Sequence, residues 1–235
     1  MKIQLKKLLS IIFLTMICSA QAGAGPSGEL IYLTSAPGQK LFMDSEIQGD
    51  YFSLATYLEF EQVLTFCGPA SMATVLNSLE VPRPSPKRLY PYKLFTQNLL
   101  FNEQNQKVKA YAKVEKVGLL LPEVAEFLNN LGVTASFHHA DEFSVDWLRN
   151  TLIAALADSR QRVIVNYSRR PLGQNGDGHL SPAAAYDEDS DRVLILDVAK
   201  YKYPPVWLTV EKLHIAMLAK DSESNRSRGL VLVKQ

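Results

Sequence analysis

The sequence predicts an α+β domain in which helices come first and an antiparallel sheet second. Three observations carry that prediction. Apolar residues recur at helical spacing as far as residue 156. Short β-branched or apolar runs replace them after Asp158, and an acidic turn, Asp187-Glu188-Asp189-Ser190-Asp191, joins two of those runs. The chain has 235 residues, 47% hydrophobic and 21% charged, which suits one domain with its own core and excludes a fibrous or disordered class.

The first element is an export signal. Lys2, Lys6 and Lys7 precede an apolar run over 8–17, and Ala20-Gln21-Ala22 gives a small-x-small cleavage site. A run of about ten residues is too short for a membrane span, which needs about twenty. Residues 1–22 are therefore predicted to be removed, leaving one domain over 23–235, periplasmic or secreted and with no stable membrane insertion. Without those three lysines, 22 basic residues face 24 acidic ones, a net charge near −2 that leaves no basic footprint for nucleic acid.

Within that domain, 30–33 and 51–58 read as short extended or mixed segments. Met72, Val75, Leu76 and Leu79 then mark an amphipathic helix that starts just after Cys67, and the three prolines Pro82, Pro84 and Pro86 end it. The polar stretch 97–109 reads as a surface excursion. Pro122 opens a packing helix over 121–131 with Val124, Phe127, Leu128 and Leu131 on one face, and 147–156 repeats that pattern. The strands follow at 163–165, 180–186 and 193–198, and a helix covers 210–218. No internal repeat or linker divides the chain.

Signal cleavage removes Cys18 and leaves Cys67 as a lone thiol in an oxidising compartment. By count alone it is either a buried, inert residue or a reactive one. Its setting, Thr65-Phe66-Cys67-Gly68-Pro69-Ala70-Ser71 at a helix start, favours the second. Free N–H groups and the helix dipole there stabilise a thiolate, and Gly68 lets a substrate carbonyl approach the backbone.

A thiolate that attacks an amide needs a proton donor for the leaving amine, and the histidines are His138, His139, His179 and His214. His179 is best placed, after the flexible 173–178 loop and at a sheet edge. His214 falls in a helix as a surface or packing residue. The adjacent pair His138-His139 points to opposite faces of an extended segment, so no metal site is assigned. If Tyr186 opposes Arg192 across the acidic turn, Ser181 opposes Asp197, and Asp197 and His179 share one face as a diagonal pair. A one-residue shift would separate them, and Asp197 would then be a strand-end turn residue.

Three blocks in order resemble the phytochelatin synthase family: Phe66-Cys67-Gly68-Pro69-Ala70-Ser71, then Gly178-His179-Leu180-Ser181-Pro182, then 194–207 with Asp197 and Lys200-Tyr201-Lys202-Tyr203-Pro204-Pro205-Val206-Trp207. The resemblance spans about residues 50–233 and implies a papain-like two-lobed fold, with a helical lobe carrying Cys67 and an antiparallel sheet lobe carrying His179 and Asp197. It implies that Cys67 attacks the Cys–Gly amide of glutathione, His179 protonates the departing glycine, Asp197 orients His179, and a γ-glutamylcysteinyl thioester forms. Water then gives γ-glutamylcysteine, and a second glutathione gives phytochelatin.

The chain resembles the short bacterial form, which implies mainly hydrolysis and no required cofactor. A heavy-metal ion, cadmium or zinc, enters as activator or as glutathione thiolate, and homodimerisation is left open. The family places a Gln of the oxyanion hole six residues before the nucleophile, where this sequence has Glu61 followed by Gln62. Because a carboxylate would repel the oxyanion, Gln62 is expected in the site, beside the Cys67 backbone N–H. Arg169 and Arg228 are the family-position candidates for the two glutathione carboxylates, each with a plain surface role as the alternative. Gly68 and Gly178 complete the expected substrate-binding set. The rival readings are another papain-like peptidase or amidase acting on exported peptides, and a non-catalytic periplasmic metal-binding protein.

Overall fold

A computed structural model describes residues 29–235. The predicted export signal, 1–22, lies outside the described residues. Among the described residues seven strands form one sheet: β1 (Ile31–Tyr32), β2 (Thr134–His139), β3 (Gln161–Ser168), β4 (Gly178–Asp187), β5 (Arg192–Ile195), β6 (Val206–Thr209) and β7 (Gly229–Lys234). Their order is β1-β6-β5-β4-β3-β7-β2, and every neighbouring pair is antiparallel. The helices are α1 (Ala36–Asp44), α2 (Gly49–Thr56), α3 (Cys67–Ser78), α4 (Glu103–Val108), α5 (Tyr111–Val117), α6 (Leu121–Asn129), α7 (Val145–Ala157) and α8 (Val210–Leu218). The fold is α+β, as expected. No helix among the described residues is long and apolar enough to cross a membrane.

Strand alternation divides the core in two. Ile164, Val231 and Val233 pack with α3 and α6, whereas Val163, Val165 and Leu230 pack with α7 and α8 on the opposite face. Helices preceding strands therefore holds only for the face that carries Cys67. The other face draws its helices from after β2 and after β6.

Two expected elements change. Residues 51–58 lie mostly within α2, a helix that buries only Asp50 and Leu54 and so shows no apolar stripe in the sequence. Asp50 pairs with Arg162 at 2.8 Å, both side chains being buried. The 97–109 stretch is not a surface excursion. Gln97 and Asn105 are buried, and Asn105 Nδ2 donates to the carbonyls of Leu100 and Phe127. Lys109 pairs with Glu123 and Glu223. Polarity concealed the burial, because each of these side chains has its partners inside the fold.

Helix α3 is buried from Gly68 to Asn77, not only along the predicted stripe. Its polar side chains are matched by chain crossing over it. Ser71 Oγ donates to the Leu180 carbonyl, Thr74 Oγ1 accepts from Glu59 N–H, and Asn77 exchanges two hydrogen bonds with the Phe95 backbone. The Ser71 bond fixes the start of α3 against β4, which brings Cys67 to His179.

Candidate active site

The hairpin register decides whether His179 and Asp197 can meet. At the turn Asp187 opposes Arg192, one residue off the predicted pairing, and that shift alone would turn Asp197 away. A bulge between Ala183 and Ala185 cancels it, so Ala183 opposes Ile195 and Leu196 N–H donates to the Pro182 carbonyl at 2.9 Å. Beyond the bulge the expected register holds. His179 sits at the end of β4, in the middle of the sheet and not at an edge as expected.

His179 Nε2 lies 2.9 Å from Asp197 Oδ1 and 2.9 Å from Ser181 Oγ. Against an anionic carboxylate Nε2 carries the ring proton, leaving the Nδ1 lone pair free for Cys67. Tyr167 meets the imidazole edge-on with ring centroids 5.7 Å apart. One ligating atom from each of Cys67, His179 and Glu61 falls within a mutual separation of 4.8 Å.

Asp197 is fully buried. Burial by itself raises its pKa, but the hydrogen bond and charge of His179, followed by those of Arg169, outweigh it and hold the carboxyl well below the usual range. Arg169 Nη2 donates to Oδ1 at 2.9 Å, and Nη1 lies 2.8 Å from Oδ2 and donates to Gln174 Oε1. The guanidinium also rests over the Tyr203 ring at 5.0 Å. Arg169 was expected to bind substrate, but its fork is already matched by Asp197 and it does not line the pocket beside Cys67. It positions Asp197 instead.

Cys67 is the first residue of α3 and a free thiol. Burial and then the Glu61 carboxylate push it up to about 11, against hydrogen bonds from the Leu180 and Gly68 backbone and the charge of Arg169. Burial lowers His179 despite Asp197. The helix dipole favours a thiolate, whereas burial and Glu61 act against that form. The helix end is present, but it faces a buried acid.

That acid is Glu61, not Gln62. Gln62 is exposed to solvent, while Glu61 is buried with Oε1 accepting from the Tyr201 hydroxyl. The backbone fixes this choice: Glu61 N–H donates to the Val198 carbonyl at 3.1 Å, and Gln62 N–H to Gln97 Oε1 at 3.1 Å. Gln97 also holds Glu59 Oε2 and the Phe60 carbonyl, so the segment cannot slip by one residue.

The pocket beside Cys67 and His179 is lined by Asn166, Asp177, Asp221 and Arg228 among others. Arg228, expected in the site, is there. It is paired with Asp221 at 2.8 Å and Asp177 at 3.3 Å, and its Nε has no partner among the described residues. Gly178 is needed beside it, since a Cβ at that position would lie 2.5 Å from Arg228 Nη1. Gly68 has a different role from the one expected. A Cβ there would come 3.3 Å from Leu119 and from Leu180, so its missing side chain admits core packing rather than substrate. The 173–178 loop is tied down: Arg169 N–H donates to the Asp177 carbonyl, Asn175 N–H to the Tyr203 hydroxyl, and Ser168 Oγ to Asp177 Oδ1.

His214 packs as expected, with Nε2 against the carbonyls of Ala140 and Phe143. His138 meets Trp147, whereas His139 Nδ1 lies 2.6 Å from the Ser227 carbonyl, so the adjacent pair does not converge. The sequence did not single out Asn166, whose Oδ1 is buried without a partner among the described residues, or Asp221. Asn166 directly follows the apolar Val163-Ile164-Val165 run of β3, and that is the signal that could have found it.

A thiol at a helix start, an imidazole with one nitrogen free, and a buried carboxylate on the other nitrogen make up the constellation of thiol-dependent acyl transfer. The phytochelatin synthase family profile matches residues 26–230, and the chain belongs to that family. It is 30% identical over 213 residues to glutathione gamma-glutamylcysteinyltransferase 3 of Lotus japonicus, covering 89% of this chain and 43% of that protein. It is also 30% identical over 205 residues to the glutathione gamma-glutamylcysteinyltransferase of Schizosaccharomyces pombe, covering 85% and 48% respectively. The chain spans less than half the length of these relatives.

Proposed function

We propose that this chain cleaves the Cys–Gly amide of glutathione through a γ-glutamylcysteinyl thioester on Cys67. The observation that carries this reading is the convergence of Cys67 and His179, with Asp197 behind the imidazole, on a pocket that also holds Arg228. Relatives named as glutathione gamma-glutamylcysteinyltransferases support the substrate. The γ-glutamyl end of glutathione carries a carboxylate and an ammonium group on one carbon. Arg228 suits the first, and Asp177, Asp221 and the Asn166 Oδ1 suit the second.

His179 Nδ1 takes the Cys67 proton as sulfur attacks the amide carbon, and the same proton passes to the glycine nitrogen as the C–N bond breaks. The N–H of Cys67, in the first turn of α3 where helices leave donors unpaired, is the oxyanion donor. Water resolves the thioester to γ-glutamylcysteine, and the amine of a second glutathione resolves it to phytochelatin. No resident cofactor is needed for these steps; cadmium or zinc enters as glutathione thiolate or as activator. The same reading includes a papain-like two-lobed arrangement, export under residues 1–22 to the periplasm or outside the cell, and one catalytic domain that works alone or as a homodimer.

The test is to incubate the purified protein with glutathione, with and without cadmium, and separate the products. Free glycine with γ-glutamylcysteine or its oligomers is expected. Intact glutathione alongside cleavage of unrelated peptides would instead assign a general peptidase. Gly178→Ala displaces Arg228 and is expected to raise KM for glutathione about tenfold, or about 1.4 kcal/mol of binding, more than it lowers kcat. Steady-state kinetics checks this.

A further inference from the structure

We infer that Glu61, Cys67 and His179 form a site for one thiophilic divalent cation, and that its occupancy shuts the nucleophile off. Three different donor types converge there, with ligating atoms within 4.8 Å of one another. A tetrahedral zinc with bonds of about 2.0–2.3 Å needs its ligand atoms about 3.5 Å apart, so closure of about an ångström completes the set.

The surroundings of each donor suit a metal. Glu61 is only 5% exposed; Tyr201 satisfies its Oε1, and its Oε2 is buried with no partner among the described residues. Such an orphaned oxygen has a solvation cost that a cation would offset. His179 gives its Nε2 to Asp197, leaving Nδ1 as the ligand and Asp197 as the carboxylate that fixes the ring behind it. Among the described residues Cys67 has no disulfide partner. The charges also close: a dication is neutralised by one thiolate and one carboxylate, and Asp197 is separately matched by Arg169. Sulfur and imidazole donors select zinc or cadmium over magnesium or calcium, and the pocket leaves a fourth position open to water.

Binding breaks the Cys67 S–H bond, forms a sulfur–metal bond and releases the proton to solvent, with no change of oxidation state. The consequence for turnover rests on Cys67 being the nucleophile. A free cation then blocks the reaction that the same metal, carried as a glutathione thiolate, would enter as substrate.

The experiment titrates zinc chloride into the metal-free protein, counts bound metal by competition with a chromophoric chelator, and substitutes cobalt(II) to read the thiolate charge-transfer band. One zinc per chain is expected. Zinc should also protect Cys67 from iodoacetamide until a chelator is added. Glu61→Gln should weaken binding at least about tenfold, and Cys67→Ser should remove the charge-transfer band with the circular dichroism spectrum retained. Sub-stoichiometric zinc, a cobalt spectrum without the sulfur band, or binding that both variants leave unchanged would overturn the site. If Glu61→Gln does not fold, the stoichiometry and cobalt band of the wild-type protein decide alone. None of these readouts uses glutathione, so the site can fail while the substrate assignment stands, and the reverse.

Discussion

Replacing Cys67 by alanine or by serine is expected to reduce glycine release from glutathione on the order of 10⁴-fold or more, because removing the nucleophile of a triad removes the covalent route altogether. The fold should survive. Cys67 is partly exposed at the start of α3, and the helix is held by Ser71, Thr74 and Asn77 rather than by the thiol. Truncation there costs about 1 kcal/mol of apolar contact at most. Acid-quenched wild-type protein should carry a γ-glutamylcysteinyl adduct by intact mass, and neither variant should. Retention of more than a few per cent of the rate in either variant would remove Cys67 from the mechanism.

The thiol and its imidazole were legible because their signals are local. A lone cysteine before a helical pattern and a histidine after a glycine-rich loop need no knowledge of what lies across the fold. Helices α3, α6, α7 and α8 were legible for the same reason, since each carries an apolar pattern that tertiary packing does not erase. Asp197 was legible only through an assumed register, and the assumption succeeded by an unusual route. The turn begins one residue out of step, and the bulge at the Ala183–Ala185 step restores the pairing. Nothing in three consecutive alanines announces which strand will carry the extra residue.

What could not be read was long-range and polar. The choice between Glu61 and Gln62 is made by the Val198 carbonyl and by Gln97, one far along the chain and the other inside a stretch whose composition looks solvated. Physical intuition favoured an amide over a carboxylate near a developing oxyanion, and backbone geometry overruled it. Arg169 was assigned to substrate because glutathione carries two carboxylates, yet the protein's own buried carboxylate takes that cation. A buried Asp inside an apolar strand requires a partner. The sequence pointed to His179 for that role, and Arg169 shares it.

That requirement sets the second large effect. Asp197→Asn is expected to lower stability by about 3–5 kcal/mol, because Arg169, only 3% exposed, loses its counter-charge. It should also lower kcat on the order of 10²- to 10⁴-fold, since an amide no longer compels the proton onto Nε2 and the Nδ1 lone pair is lost to Cys67. The pH dependence has a definite sign. His179 and Arg169 hold the folded-state carboxyl below its ordinary value of about 3.9. Its contribution is thus complete above that value and is lost as pH falls through the folded-state value. The gap in Tm between wild type and variant should be full near neutrality and narrow only in strong acid. Adding Arg169→Met to Asp197→Asn removes both buried charges, which should recover most of the Tm while turnover stays low. If activity returned together with stability, Asp197 would serve the fold alone, and Ser181 would be the residue that orients the imidazole.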